Sequence, residues 1–232
     1  MDEIVAQTMS LLHLPQLLTN EELTKIDALL ESSLFVDGAK TASMAAKAVK
    51  NNLQIDKNNT HTLPQLQSII LLALETSPLF QIATLPKHIY PIVFSKYSEG
   101  MTYGWHVDSP QMGNPAIRTD LAMTIFLSDP NTYEGGELLI QGSQGITAYK
   151  PNRGDAVVYP CMYLHCVNPI TKGERRVAVT WIQSEVGSVE KRQILFDMNQ
   201  IHGSLYQKDP NSVEANLLLQ THSNLLRMWL AN

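Results

Sequence analysis

Tyr103-Gly104-Trp105-His106-Val107-Asp108 lies in the middle stretch of this chain, residues 89 to 185, where the character of the sequence changes. Short runs rich in β-branched and aromatic residues stand at Ile89–Tyr97, Leu121–Leu127, Gly136–Gln141, Ala156–Tyr159 and Arg176–Gln183. They are separated by turn signals, among them Asp129-Pro130-Asn131, Gly135-Gly136 and Pro151-Asn152-Arg153-Gly154-Asp155. Runs of this length at this spacing predict an all-β sandwich or jelly roll and argue against βαβ units. On such an extended chain His106 and Asp108, at i and i+2, project from one face.

Outward from that core the pattern is helical. Thr19-Asn20-Glu21-Glu22 resembles a cap and acidic first turn, followed by Leu23, Ile26, Leu29 and Leu30 at helical spacing. A second helix is predicted over Ala42 to Ala48 and a third over Leu63 to Leu74, with Thr60 and Thr62 preferred over His61 as its caps. Helix returns after about residue 186, and Val213 to Leu230 carries a broad apolar stripe suited to helix packing or a subunit contact. The division expected is a helical support region over 1–88, a β core over 89–185 and a C-terminal helical region over 186–232. The fold class is mainly β with flanking helices.

With 232 residues, 44% of them hydrophobic, the chain can bury a core well beyond marginal size, so disorder is not the default. Seventeen Lys and Arg against 22 Asp and Glu give a net charge of −5, and no stretch collects a basic cluster. That balance argues against nonspecific affinity for nucleic acid or anionic membrane, although a local basic groove would escape it. Cys161 and Cys166 are the only cysteines, which fits buried thiols in a reducing cytoplasm better than a disulfide scaffold. The apolar stretch Met9 to Leu18 is broken by His13 and Pro15 and reads poorly as a signal peptide, and no run approaches the ~20 apolar residues of a membrane span.

A third ligand for the pair His106 and Asp108 must come from elsewhere. His165 follows 57 residues after Asp108 (165 − 108), behind Gly154-Asp155 and the apolar run Ala156–Pro160, so a returning strand is expected to deliver it. Two imidazoles and one carboxylate on one face of an octahedral ion leave three positions open, the arrangement of non-haem iron(II) oxygenases. Cys166 falls on the opposite face of that strand, and His13, His61, His88, His202 and His222 lie outside the pattern. Ten residues after His165 (175 − 165) come Arg175 and Arg176. Arg175 shares a face with Val177, Val179 and Trp181, and an arginine turned into a β-barrel needs an anion such as the distal carboxylate of 2-oxoglutarate. A solvated pair flanking a strand is the competing reading.

The segments Tyr97 to Asp108, Arg118-Thr119-Asp120-Leu121, Phe126-Leu127-Ser128-Asp129-Pro130, Tyr133-Glu134-Gly135-Gly136-Glu137-Leu138, Leu164-His165-Cys166-Val167 and Trp181-Ile182-Gln183-Ser184 resemble the bacterial PKHD-type hydroxylases, relatives of the prolyl and lysyl hydroxylases. The resemblance extends to Phe35-Val36-Asp37-Gly38, Val49-Lys50-Asn51-Asn52 and Asn224-Leu225-Leu226-Arg227-Met228-Trp229, nearly the whole chain. It implies a double-stranded β-helix of the cupin-like, jelly-roll type. It also implies Fe(2+) bound by His106, Asp108 and His165, 2-oxoglutarate held by Arg175, and dependence on L-ascorbate, with no catalytic side chain beyond the metal centre. Tyr97 and Tyr103 match tyrosines placed nine and three residues before the first histidine in the wider prolyl hydroxylase group, where one would contact the cosubstrate. Ser109 to Ile117 matches least and is expected to shape the substrate entrance.

The expected activity is dioxygen-dependent hydroxylation of an unactivated C–H bond of a peptide or small molecule, with 2-oxoglutarate decarboxylated to succinate. The alternatives are a non-catalytic cupin-like protein holding a metal or small carboxylate, a zinc hydrolase, and nucleic-acid demethylation, the last disfavoured by the acidic balance. Apolar stripes on the terminal helices make a homo-oligomer an expectation, whereas the substrate is not legible.

Overall fold

The computed structural model describes residues 11–41 and 47–230. Among the described residues there are five α-helices: α1 (Asn20–Glu31), α2 (Thr62–Thr76), α3 (Pro78–Thr84), α4 (Val189–Lys208) and α5 (Val213–Trp229). The strands are β1 (Leu12–Leu14), β2 (Phe35–Asp37), β3 (Lys50–Asn51), β4 (Leu53–Ile55), β5 (Pro86–Ile89), β6 (Val93–Tyr97), β7 (Thr102–His106), β8 (Gln111–Met112) and β9 (Ile117–Arg118). They continue as β10 (Leu121–Phe126), β11 (Tyr133–Gly135), β12 (Leu138–Gly142), β13 (Gly145–Tyr149), β14 (Ala156–Pro160), β15 (Leu164–Val167), β16 (Ile170–Gly173) and β17 (Arg175–Ser184). A major sheet runs β1-β14-β10-β17-β6-β4-β2, with β5 also paired to β17, and a minor sheet runs β13-β12-β15-β7-β3. Every pairing within them is antiparallel. This is the double-stranded β-helix expected.

Period-two alternation sorts the major sheet into two apolar layers. Leu121, Met123 and Ile125 of β10, Ala156 and Val158 of β14, and Ala178 and Ile182 of β17 pack outward against α1, α2 and α3 through Leu23, Ile26, Leu66, Ile70, Leu74 and Phe80. Their neighbours Ala122, Phe126, Val157, Tyr159 and Val177 face the minor sheet and meet Leu138, Ile140 and Val167. All six residues of β10 are buried, which is why that strand reads as a continuous apolar run and not as an alternation. Full burial of a Leu or Ile side chain such as Leu66 or Ile70 contributes on the order of 2 kcal/mol.

The helix ends show where the sequence reading holds and where it is corrected. Thr19 caps α1 in a reciprocal box, its Oγ1 accepting from Glu22 N–H while the Glu22 carboxylate accepts from Thr19 N–H. For α2 neither Thr60 nor Thr62 is the cap: the Asn59 side-chain oxygen accepts from the backbone N–H groups of His61 and Thr62. Asn reaches forward to two donors at once, which a threonine within the first turn cannot do. Most of the helix predicted over Ala42 to Ala48 lies outside the described residues.

The N-terminal region is not only helical, because β1 to β4 extend both sheets. These strands are two or three residues long, too short to display a period. Ile89–Tyr97, expected as one strand, is two: Pro91 lacks the N–H that a continuous ladder would require, so β5 and β6 pair with different parts of β17. Among the described residues no single helix is long and apolar enough to cross a membrane.

Candidate active site

His106 ends β7 and His165 sits on β15, and the two are direct register partners across the minor sheet. Cross-strand partners project from the same face, so the rings meet, with centroids 4.2 Å apart. Asp108, two residues beyond β7, turns to the same point. The ligand atoms of His106, Asp108 and His165 all lie within 4.8 Å of one another, and His165 Nε2 stands 3.7 Å from Asp108 Oδ2. Among the described residues this is the single cluster of three such groups, and Cys166 is not in it.

Backbone carbonyls set the tautomers. His106 Nδ1 lies 2.9 Å from Gly104 O and His165 Nδ1 3.0 Å from Tyr163 O, so each ring donates through Nδ1 and keeps a lone pair on Nε2. Burial, followed by the neighbouring His165, pushes the His106 pKa down to about 3, which keeps that imidazole neutral at pH 7. Burial raises the pKa of the Asp108 carboxyl, and the adjacent His165 is the strongest influence pulling it back.

Arg175 lies on the opposite sheet. As the first residue of β17 it pairs with Tyr97 of β6, and its guanidinium carbon is 5.2 Å from the Tyr97 ring centroid and 5.4 Å from that of Phe126. The side chain is only 1% exposed, yet none of its three nitrogens finds a hydrogen-bond partner among the described residues. Arg176 takes the other face, bonding to Glu174 and Glu31 at 2.7 Å each. Of the adjacent Gly135 and Gly136, the second admits the arginine. Both have positive φ, and a Cβ on Gly136 would come within 2.4 Å of Ile170 and 3.0 Å of Arg175 Cδ.

One cavity of about 720 Å³ between the sheets joins these groups, lined by His106, Asp108, His165, Arg175, Tyr97 and Tyr103, with Val177, Val179 and Trp181 on the β17 face. The six residues singled out from the sequence therefore converge. Tyr97 lies against Arg175, and Tyr103 stacks on the His106 ring at 3.6 Å. Gln111, Met112 and Gly113, from the 109–117 segment that forms the β8–β9 hairpin, line the outer part of the cavity.

Four further residues were not singled out as site residues, although the sequence reading already placed Trp181 on the Arg175 face. The Tyr133 hydroxyl, beside Arg175, and Trp181 Nε1, beside Asp108, are buried with no hydrogen bond within 3.5 Å among the described residues, and Tyr159 meets His165 edge-on at 5.1 Å. The alternation of Val157 with Tyr159 on a strand just before His165 was the available signal for the last of these. Lys50, on β3, lies with its Nζ 5.3 Å from the Tyr103 ring centroid, and burial pushes its pKa down to about 8. No local pattern marks it.

The 2OG-Fe(II) oxygenase superfamily matches residues 92–183. A PKHD-type hydroxylase of Crocosphaera subtropica is 42% identical over 220 residues, covering 94% of this chain and 99% of that protein. A second, from Picosynechococcus sp., is 43% identical over 216 residues, covering 93% and 97%. Among solved structures, a prolyl hydroxylase from Trichoplax adhaerens in complex with a hypoxia inducible factor peptide fragment aligns with a TM-score of 0.55 at 14% identity, covering 81% of this chain and 87% of that one. A 2OG-Fe(II) oxygenase family oxidoreductase from Burkholderia pseudomallei aligns at 0.55 and 19%, covering 74% and 84%. These structural matches bear on the fold, and the double-stranded β-helix is shared. Identity above 40% across nearly the full length of both chains carries the activity class, so this chain belongs to the PKHD-type hydroxylases of the 2OG-Fe(II) oxygenase superfamily and is a 2-oxoglutarate-dependent hydroxylase.

Proposed function

We propose that His106, Asp108 and His165 hold the Fe(II), that Arg175 holds the distal carboxylate of 2-oxoglutarate, and that the enzyme hydroxylates an unactivated C–H bond of a prolyl- or lysyl-type substrate. One observation carries this reading: two imidazoles with Nε2 freed by backbone carbonyls meet a carboxylate, and across the same cavity stands a buried guanidinium with no hydrogen-bond partner among the described residues. The 3.7 Å between His165 Nε2 and Asp108 Oδ2 fits two ligands of one ion, each at about 2 Å. A buried, unpaired guanidinium is costly, and a carboxylate taking two parallel N–H bonds removes that cost.

When bound, iron with dioxygen and 2-oxoglutarate supplies the oxidant, the keto acid leaving as succinate and carbon dioxide while one oxygen atom enters the substrate as hydroxyl. The chain's own residues orient and shield. Arg175 and the Tyr133 hydroxyl anchor the far end of the cosubstrate, Tyr97 supports the guanidinium from below, and Tyr103 holds the His106 plane by stacking. Val177, Val179 and Leu138 keep the wall apolar, and the β8–β9 hairpin borders the entrance. Among the described residues Asp108 is the only acidic side chain lining the cavity, so no second carboxylate there supports a zinc-type hydrolysis.

The catalytic core is 89–185, which contains all four proposed ligand residues, with 1–88 and 186–232 as support. The family resemblance supports ascorbate as the reductant that restores the centre after uncoupled turnover. Two free, buried thiols at Cys161 and Cys166 support a cytoplasmic setting, and exposed Leu217, Leu219 and Met228 on α5 support self-association. The acidic net charge supports a substrate other than nucleic acid or membrane lipid.

The test is succinate formation from 2-oxoglutarate by protein loaded anaerobically with Fe(II) and then given oxygen. Turnover that Asp108→Ala and Arg175→Met each abolish is the expected result. A folded, iron-loaded protein that makes no succinate with or without candidate substrates would overturn the assignment.

A further inference from the structure

The three proposed metal ligands are not held alike. His106 and His165 stand on strands, and each ring is fixed by the carbonyl two residues before it. Asp108 lies two residues past the end of β7, and its Oδ2 is buried with no hydrogen-bond partner among the described residues. A carboxylate turns about its last torsion more freely than a tethered ring, and it can offer a metal one oxygen or two. Two oxygens would take a fourth position on an octahedral ion and leave two, whereas the keto acid and dioxygen together need three. Something must therefore set how Asp108 binds.

Two donors carried by the opposite sheet stand beside this carboxylate. Trp181 lies on β17, six residues after Arg175 (181 − 175) and on the same face, and its Nε1 is buried with no hydrogen bond within 3.5 Å among the described residues. The indole is braced from behind: Tyr90 N–H donates to Trp181 O at 2.8 Å, and the two rings meet edge to face with centroids 5.7 Å apart. Cys161 follows β14 as a free, buried thiol, its backbone N–H donating to Asp120 O at 3.1 Å. It is not part of the cluster of ligand atoms. Burial raises the Asp108 pKa; His165 opposes this most, then the Trp181 N–H, with the Cys161 thiol a lesser influence in the same direction. An indole N–H can only donate, and a buried donor left without an acceptor is costly, so the neighbouring carboxylate is its partner by chemistry as well as by place.

We propose that Trp181 and Cys161 are positioning residues for Asp108: the indole N–H and the thiol S–H take up one carboxylate oxygen, so that the other alone meets the metal and three positions stay open. This rests on the triad reading and adds which side chains set the binding mode of its third member. Strand β17 then carries two devices, Arg175 at its start for the keto acid and Trp181 further on for the metal's carboxylate.

The experiment titrates the full chain with Mn(II) in the absence of 2-oxoglutarate, reading affinity by calorimetry and the number of metal-bound waters by water-proton relaxation. Trp181→Phe keeps a ring against Tyr90 and removes the N–H. Cys161→Ala removes the S–H, and Cys161→Ser keeps a donor in its place. Trp181→Phe is expected to lower Mn(II) affinity about tenfold, the lower end of what loss of a ligand-orienting hydrogen bond costs, and to hold one water fewer on the metal as the freed oxygen swings in. Cys161→Ala should show a smaller change that Cys161→Ser restores, and urea melts of the metal-free variants should match wild type. Wild-type affinity and hydration in folded Trp181→Phe and Cys161→Ala overturn the proposal. So does an affinity loss with unchanged hydration, which would mark a packing role. Should Trp181→Phe not fold, the two Cys161 variants decide between the same outcomes. Wild-type protein that binds no Mn(II) would sink the triad reading itself, a distinct result.

Discussion

At the scale of single residues, the proposed cosubstrate anchor is a buried guanidinium. The three nitrogens of Arg175 have no hydrogen-bond partner among the described residues, so its replacement should separate function from stability. Arg175→Met is expected to bind 2-oxoglutarate far more weakly in the Mn(II) protein, by calorimetry, while the metal-free variant resists urea at least as well as wild type. Replacing a buried ion pair by apolar side chains of similar volume is neutral or stabilising by about 1–4 kcal/mol, and a buried charge without a partner has less compensation to lose. Lys50 gives the second residue-scale prediction. Its pKa falls from 10.5 to about 8 in the folded state, so between those values the unfolded chain binds more protons and stability rises with pH. Below pH 8 the whole cost is present. Lys50→Met should therefore be more stable than wild type at pH 7, by on the order of 3 kcal/mol, and the gain should shrink as pH approaches 10.5. Urea melts at pH 7 and pH 10 would check it; a destabilised Lys50→Met would show that the lysine supports the fold.

At the scale of elements, turns and caps place these residues. Gly136→Ala would put a methyl 2.4 Å from Ile170 and 3.0 Å from Arg175 Cδ at a positive φ, so the arginine must move. The expected outcome is a 2-oxoglutarate affinity lowered at least several-fold with metal binding retained. Asn59→Ala, in contrast, removes two accepted N–H bonds at the head of α2 and should cost about 1 kcal/mol in thermal melts without changing either affinity. The elements most legible in the sequence were those with a full period to display: α1 with its capping box, and β10, β14 and β17 as apolar runs between turn residues. Strands β1 to β4 were not legible, because two or three residues cannot show an alternation and their pairing is decided by distant partners.

At the scale of the whole molecule, the proposed metal ligands stand on or just beyond strands of the minor sheet and Arg175 on the major one, so in the proposed reading the cosubstrate bridges the two layers. Ligand that binds only the folded state stabilises it by about 2.7 kcal/mol at one hundred times its Kd. Mn(II) alone should slow amide exchange in β7 and β15. Adding 2-oxoglutarate should extend protection to the start of β17 and to β6, as read by hydrogen exchange with mass spectrometry. Protection confined to the minor sheet in both states would mean that Arg175 does not hold the cosubstrate.

Local chemistry was enough to single out the His-x-Asp pair, the arrival of His165 on a returning strand and the jelly-roll class, because these depend on residues close together in the chain and on side-chain period. The choice between Arg175 and Arg176 could not be made from the residues alone: adjacent side chains point to opposite faces, and only the pairing of β17 with β6 decides which face is the cavity. The pairing of His106 with His165 and the arrival of Lys50 beside Tyr103 were likewise settled by the register of strands distant in sequence. Register is a cooperative property of two packed sheets, and no single segment contains it.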